Sequence, residues 1–383
     1  MNILYKLYKK GPLWILKRLK REFISPTFPI FKFINRFINF FYTKFFNIKK
    51  FLTLSNDIRF SGNSNVMHAV FDLSNNPITF DFAYFVAAAE AYANSKNKNK
   101  IFLWIVKRPE SFYEEGVLAE EYMNAVNRDS QDWRFKNILL PIISISPSIT
   151  SHSVVNNDFK LFDALRDEEI FPAGISNFSK PHLHYNEVFN LLELYDFSGF
   201  NGSSQGAEYI QKWKKHKRIT SNTISITLRE YGFEKSRNTN TASWLQFADW
   251  LKSKGYSVIF IPDVDNCWVE ESKFIDHFYF PEVCWNLELR SSLYESCCLN
   301  FYYSSGLQGI GMLNKNINII SIFPIINESR EAHEDIYKSW GVSLEQRKFN
   351  FAQPHQWISF INDDFESLTQ EFMDYEECFN LSP

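Results

Sequence analysis

The stretch TISITLREYGFEKSRNTNT, residues 223–241, decides how the chain is read. Its apolar residues Ile224, Ile226 and Leu228 alternate with Thr223, Ser225 and Thr227, the period-two pattern of a strand, and the run ends on Arg229. A polar loop with Arg237 and Asn238 follows. In the next segment, ASWLQFADWLKSKG, Trp244, Phe247, Ala248 and Leu251 recur at helical spacing and Gly255 supplies the stop. YSVIFIPD, residues 256–263, then returns to a strand. Strand, helix and strand in succession make a βαβ unit and hence a parallel sheet.

The same grammar extends in both directions. Downstream come a helix in LELRSSLYESC, a strand in CLNFYYS, the glycine-rich SGLQGIGML opening a short helix, and a strand at 317–322. WISFINDDFESLTQEFMDY reads as a terminal amphipathic helix. Upstream, VMHAVFDL (66–73) and KIFLWIV (100–106) read as strands on either side of the helix FDFAYFVAAAEAYANS, and NILLPIISI as one more strand. AEYIQKWKKHKR reads as a basic helix, and KKHKRITSNT as a linker. The expected fold is α/β, two tandem Rossmann-like domains at 59–218 and 219–383 behind a distinct leader at 1–58.

Charge separates that leader from the rest. Residues 1–50 hold twelve lysines and arginines against Glu22 alone, about +11, whereas the whole 383-residue chain carries −3, so the remainder is near −14. The leader's apolar runs are too short for a signal-peptide core or a spanning helix. Ile15, Leu16, Leu19 and Phe23, and after Pro29 Ile34, Phe37, Ile38, Phe41 and Phe45, recur at helical spacing between basic residues. Aromatic residues gathered on one helical face, not interleaved with bases for stacking, speak for helices lying in an anionic membrane interface and against nucleic acid. The five cysteines show no metal-ligand spacing and suit a reducing compartment, and His182 and His184 have no partner ligands nearby in sequence.

Ligands of open parallel sheets bind beyond the carboxyl ends of the strands. Arg229 stands at such an end, where a guanidinium is costly unless an anion or carboxylate meets it. With Arg237 and Asn238 it makes a candidate diphosphate clamp, the competing pairings being Arg229 with Glu230 and Arg237 with Glu234. Ser304, Ser305 and Gly306 place small residues where backbone N–H groups approach an anion, and Arg290 on the preceding helix is a further candidate cation. Asp263, with Asp265, follows a strand and could bind a donor or its divalent ion. Asp81, after the first strand and at the start of a helix, is the candidate general base, its competing role being a helix cap.

The ITLRE strand end, the following SRNTN, and LYESCCLNFYYSSGLQGIGML together resemble GT-B glycosyltransferases of bacterial surface-polysaccharide assembly, loosely the heptosyltransferase-like group, from about residue 60 onward. The resemblance implies a nucleotide-sugar donor in the second domain and a glycan or lipid-linked acceptor in the first. It implies no permanently bound cofactor, no required metal, and attachment to the inner face of the cytoplasmic membrane. By position, Arg229, the loop to Asn238 and the turn after YSSG would neutralise the leaving diphosphate. The chain departs from the heptosyltransferase pattern in having Tyr303, Ser304 and Ser305 before Gly306 and no histidine just beyond, so the donor nucleotide stays open. A polysaccharide pyruvyl transferase and a non-catalytic membrane-bound scaffold are the alternatives carried forward.

Overall fold

The computed structural model describes residues 65–73, 76–107, 126, 128–156, 158–176, 183–232, 234–264, 267, 271–327, 329 and 332–381. The leader, His182 and Asp265 lie outside the described residues. The chain divides into two compact units, one of residues 1–77, 92–128 and 148–183, the other of residues 78–91, 129–147 and 184–383.

The first unit is built on a four-stranded parallel sheet in the order β3-β2-β1-β4. Its strands are β1 (Val66–Asp72), β2 (Lys100–Val106), β3 (Ile149–Val155) and β4 (Ile170–Phe171). Strands β1 and β2 are buried nearly end to end, as parallel strands usually are. Val70, Trp104 and Val106 pack with Leu161 and Phe162 of the short helix α4 (Asp158–Ala164). Beside the stacked rings of Phe102 and Trp104, His68 accepts a hydrogen bond at Nδ1 from the Trp104 indole, 3.0 Å away.

Helix α1 (Phe82–Ser95) contains the boundary between the units, after Ala91. The second unit continues with α2 (Arg128–Arg134), a π-helical turn at Phe135–Leu139, and α3 (Leu140–Ile145). This run replaces the strand expected at NILLPIISI. Ile138, Leu139, Ile142 and Ile143 are its buried residues, a pair repeated four residues on, and that spacing is helical. The polar segment ITSHSVV, which carries no strand signature, is β3.

The second sheet has six parallel strands in the order β10-β9-β8-β5-β6-β7. They are β5 (Thr223–Thr227), β6 (Ser257–Ile261), β7 (Phe278–Tyr279), β8 (Leu299–Tyr303), β9 (Ile319–Ile322) and β10 (Gln356–Ser359). One face of this sheet is apolar. Ile224, Ile226, Phe301 and Ile320 pack there with Trp244, Phe247 and Leu251 of α7 (Thr241–Ser253), and with Leu368, Phe372 and Tyr375. The last three lie on a helix at Phe365–Phe379, so Trp357, Ile358 and Ser359 at its expected start belong instead to β10. The alternate residues Ser225, Thr227, Asn300 and Tyr302 are equally buried on the opposite face, where Ser225 donates to Asn300 Oδ1 at 2.6 Å and Thr227 meets the Tyr294 hydroxyl at 3.0 Å.

Tyr294 belongs to α8 (Leu287–Glu295), and α6 (Ser204–Lys217) packs on α8. Lys214 Nζ donates to Ser296 O at 2.6 Å, and a Cβ added to Gly202 would lie 2.6 Å from Ser292 Cα. The break expected at 218/219 therefore falls between elements of one unit, and KKHKR, read as linker, completes α6 through Lys217. The basic helix is drawn to this sheet by small residues that the linear reading did not weigh.

Candidate functional site

The order of the second sheet reverses at β5. The chain runs outward through β6 and β7 on one side, then returns to β8 and runs through β9 and β10 on the other. Loops leaving the carboxyl ends of β5 and β8 diverge at this switch point, which opens a crevice in doubly wound sheets.

Arg229 and Ser304 stand at those two ends, and Arg237 joins them. Its Nη2 donates to Ser304 O and to Ser304 Oγ, both at 3.0 Å, and its Nε points at the same hydroxyl at 3.3 Å. Nη1 is also 3.4 Å from Glu234 Oε2, so the carboxylate pairing weighed from sequence coexists with the contact across the crevice. Ser304 is buried with φ of +24°, an unusual backbone for a residue with a side chain. The next residue, Ser305, has a buried hydroxyl that makes no hydrogen bond among the described residues. Gly306 follows at the surface, and a Cβ there would come within 3.1 Å of Phe80 Cβ. The helix after this turn, α9 (Gln308–Met312), is a single short turn and adds little dipole, so the turn's own donors matter more.

Arg229 is 5% exposed and organises its own loop. Its Nη1 donates to Asn238 Oδ1 at 2.5 Å and to Glu234 O at 3.2 Å. Burial first, and the neighbouring Arg237 second, lower its pKa to about 10. Asn238 is the hub: Oδ1 also accepts from Tyr231 N at 3.0 Å, and Nδ2 donates to Tyr231 O at 3.2 Å.

Asp263 has both oxygens engaged by backbone, Oδ2 by Glu230 N at 3.1 Å and Oδ1 by Val264 N at 2.7 Å, so it clasps the β5 and β6 loops together. No group of three or more His, Cys, Asp or Glu suited to a metal ion occurs among the described residues. Arg290 is a correction to the list of candidate ligand cations. It is 1% exposed beneath the sheet, donating from Nε to Val283 O at 2.9 Å and from Nη2 to Cys284 Sγ at 3.3 Å, out of reach of a dissolved ligand. His184 caps α5 (Tyr185–Leu194), accepting from its third residue while Glu187 accepts from His184 N at 3.1 Å.

Asp81 follows Phe80, the residue packed against Gly306, in the same unit. Its carbonyl accepts from Tyr84 N and Phe85 N to begin α1, whereas its exposed carboxylate accepts only the Thr79 hydroxyl, at 3.0 Å, among the hydrogen bonds of this turn. Backbone capping thus leaves the side chain turned to solvent.

Two features escaped the sequence. Arg134, at the end of α2, donates from Nη2 to the Tyr231 hydroxyl at 2.7 Å. Trp285, beyond β7, is 41% exposed, stands edge-on to Trp133 at 5.0 Å, and donates to Cys267 Sγ at 3.3 Å. It forms one wall of a pocket of about 340 Å³ shared with Lys136, Leu140, Ser144 and Glu288. A partly exposed indole lining a pocket of that volume offers an apolar wall to a planar ring. Arg134 lies 97 residues from its partner, and no local pattern announces either.

No protein-family model matches the chain, and no curated protein does. Among solved structures, the ADP-heptose LPS heptosyltransferase II of E. coli aligns over 82% of this chain and 97% of its own, at 9% identity and a TM-score of 0.47. A glycosyl transferase family 9 structure from Veillonella parvula covers 82% and 96% at 11% identity and 0.42. E. coli heptosyltransferase WaaC with ADP covers 81% and 99% at 9% identity and 0.41. At such identities and scores these are similarities of outline, and the functional reading rests on the residues of the site.

Proposed function

We propose that the protein is a glycosyltransferase that takes its sugar from a nucleoside-diphosphate donor bound at the carboxyl edge of the second sheet. The observation that carries this reading is Arg237 held on the carbonyl and hydroxyl of Ser304 across the switch point, next to the unpartnered hydroxyl of Ser305. Cleavage of a donor's glycosidic bond develops charge on the departing diphosphate. Cations and N–H or O–H donors fixed in place before reaction lower that barrier, because they need no reorganisation.

In this scheme Arg237, Ser305 and the Gly306 turn face the phosphates, and Arg229 with Asn238 keeps the loop in shape. The partly exposed indole of Trp285 takes the base. Asp81, exposed and next in the chain to Phe80, removes the proton of the attacking acceptor hydroxyl. The acceptor is a glycan or a lipid-linked saccharide at the inner face of the cytoplasmic membrane. The basic leader holds the protein to the anionic surface; no described helix is long and apolar enough to cross a membrane.

Calorimetric titration of the full-length protein with UDP, GDP, ADP, CMP and phosphoenolpyruvate, with and without EDTA, tests the donor assignment. Binding of one nucleoside diphosphate unchanged by EDTA is expected. Binding of phosphoenolpyruvate alone would make the protein a pyruvyl transferase, and binding of none, with glycan production indifferent to Arg237→Gln, would make it a scaffold. Sedimentation with anionic liposomes before and after removal of residues 1–58 tests the membrane assignment.

A further inference from the structure

The loop between β5 and α7 is gripped from outside by a residue remote in sequence. Arg134 Nη2 meets the Tyr231 hydroxyl at 2.7 Å, and the Arg134 guanidinium carbon lies 5.1 Å from the centre of the Tyr231 ring. The Arg229 guanidinium carbon lies 5.9 Å from the same ring. Two guanidinium groups therefore flank one tyrosine, and Asn238, bonded to Tyr231 through both backbone polar atoms, binds one of them.

The charge around this loop is uneven. Arg237 has Glu234, and Arg229 has the Glu234 carbonyl and the Asn238 amide oxygen. Arg134 is half-buried, and among the described residues its side-chain partners are a neutral hydroxyl and a ring. A guanidinium taken partly out of water with no carboxylate to meet it is costly, and nearby Arg229 and Arg237 repel one another, although Asp263 and Glu234 attract Arg229. An oligophosphate with several oxygens relieves both costs at once, through charge-assisted hydrogen bonds that a planar fork makes well.

We infer that Arg134 joins Arg237 as a guanidinium of the oligophosphate site, held in place by Tyr231, so that the α2 helix as well as the strand-end loops binds the diphosphate. The inference deepens the donor assignment above and rests on the same site. It also gives the helical run at 128–145 a task, because that run carries Arg134 to the site and Lys136 to the Trp285 pocket.

The test uses the full chain and two probes, inorganic pyrophosphate and the nucleoside diphosphate series, with binding measured by titration and folding by melting temperature. Arg134→Gln is expected to weaken pyrophosphate about tenfold to a hundredfold, the range for a lost charge-assisted contact. Tyr231→Phe keeps the ring and loses only the hydroxyl, and is expected to weaken it by roughly threefold. Arg134→Lys keeps the charge without the fork and is expected to fall between Arg134→Gln and the wild type. That variant serves if Arg134→Gln fails to fold. Wild-type affinity in a folded Arg134→Gln, or in Arg134→Lys when the glutamine variant is unfolded, overturns the inference. It also falls if the wild type binds neither probe. Pyrophosphate binding that depends on Arg134, with no nucleoside diphosphate bound, upholds the inference and sinks the donor assignment instead.

Discussion

Truncating Asn238 to alanine tests whether the loop after β5 is a preformed clamp. Three hydrogen bonds disappear at once: the Arg229 guanidinium to Oδ1, Tyr231 N to Oδ1, and Nδ2 to Tyr231 O. The first is charge-assisted, worth roughly 1.5–3 kcal/mol, and the two backbone bonds roughly 0.5–1.5 kcal/mol each. Because all three pass through one amide they do not add fully, and about 3 kcal/mol is the expected loss of stability. Arg229 stays 5% exposed with Glu234 O as a remaining acceptor, so part of the cost is an undersatisfied buried cation. With an m-value of about 3 kcal/mol/M, the urea midpoint should move down by about 1 M. Nucleoside diphosphate affinity should fall in parallel, since the loop must then be ordered by the ligand. Asn238→Asp, which keeps an acceptor for Arg229, should recover most of the midpoint. A midpoint within about 0.2 M of wild type for the alanine variant would refute the clamp.

Further expectations concern the elements that carry the site. His68 is held neutral at a pKa of about 4 by burial, then by nearby Lys98. Its folded value lies below the unfolded 6.5, so the unfolded chain binds the extra proton and stability falls as pH drops from 6.5 toward 4. Protonated Nδ1 would also confront the Trp104 N–H. His68→Gln should flatten that part of the pH–stability curve, by about 2–3 kcal/mol over the window. Gly202→Ala places a methyl group 2.6 Å from Ser292 Cα and 2.7 Å from Ser292 N, atoms of a helix backbone, and should cost about 2 kcal/mol in denaturant unfolding. Gly232→Ala, with no atom within 4 Å, is the neutral control. Arg290→Met should leave nucleotide affinity within about twofold of wild type, whereas Arg237→Gln loses about thirtyfold; equal losses would return Arg290 to the ligand site.

What was legible in the sequence follows from where the physics is local. Strands β5 and β6 and helix α7 declare themselves through period two, period 3.6 and a terminal glycine, and Gly255, with φ of +95°, is the stop expected of it. NILLPIISI misleads because an unbroken apolar run is compatible with a buried strand or a buried helix, and only its packing in α3 and the turn before it decides. Strand β3 was hidden for the opposite reason, since its exposed Ser and His residues leave no hydrophobic pattern.

At the site, sequence identified a region better than it assigned tasks. An arginine at a strand end signals an anion or an internal acceptor with equal force, and Arg229 took the internal acceptor in Asn238. Arg290 met backbone and sulfur acceptors under the sheet because Ser225, Thr227, Asn300 and Tyr302 make that face polar enough to hold it. Arg237 alone of the three reaches across to the β8 turn, and it does so through Ser304, whose left-handed backbone no local propensity announces. The groups proposed to meet the phosphates are thus those at the β8 turn, Arg237 on Ser304 and the Ser305 hydroxyl, which has no hydrogen-bond partner among the described residues. A substitution scan ordered by reach to that turn and by burial should give the order of binding losses: Arg237→Gln largest, Arg229→Gln expressed chiefly as lost stability, and Arg290→Met least.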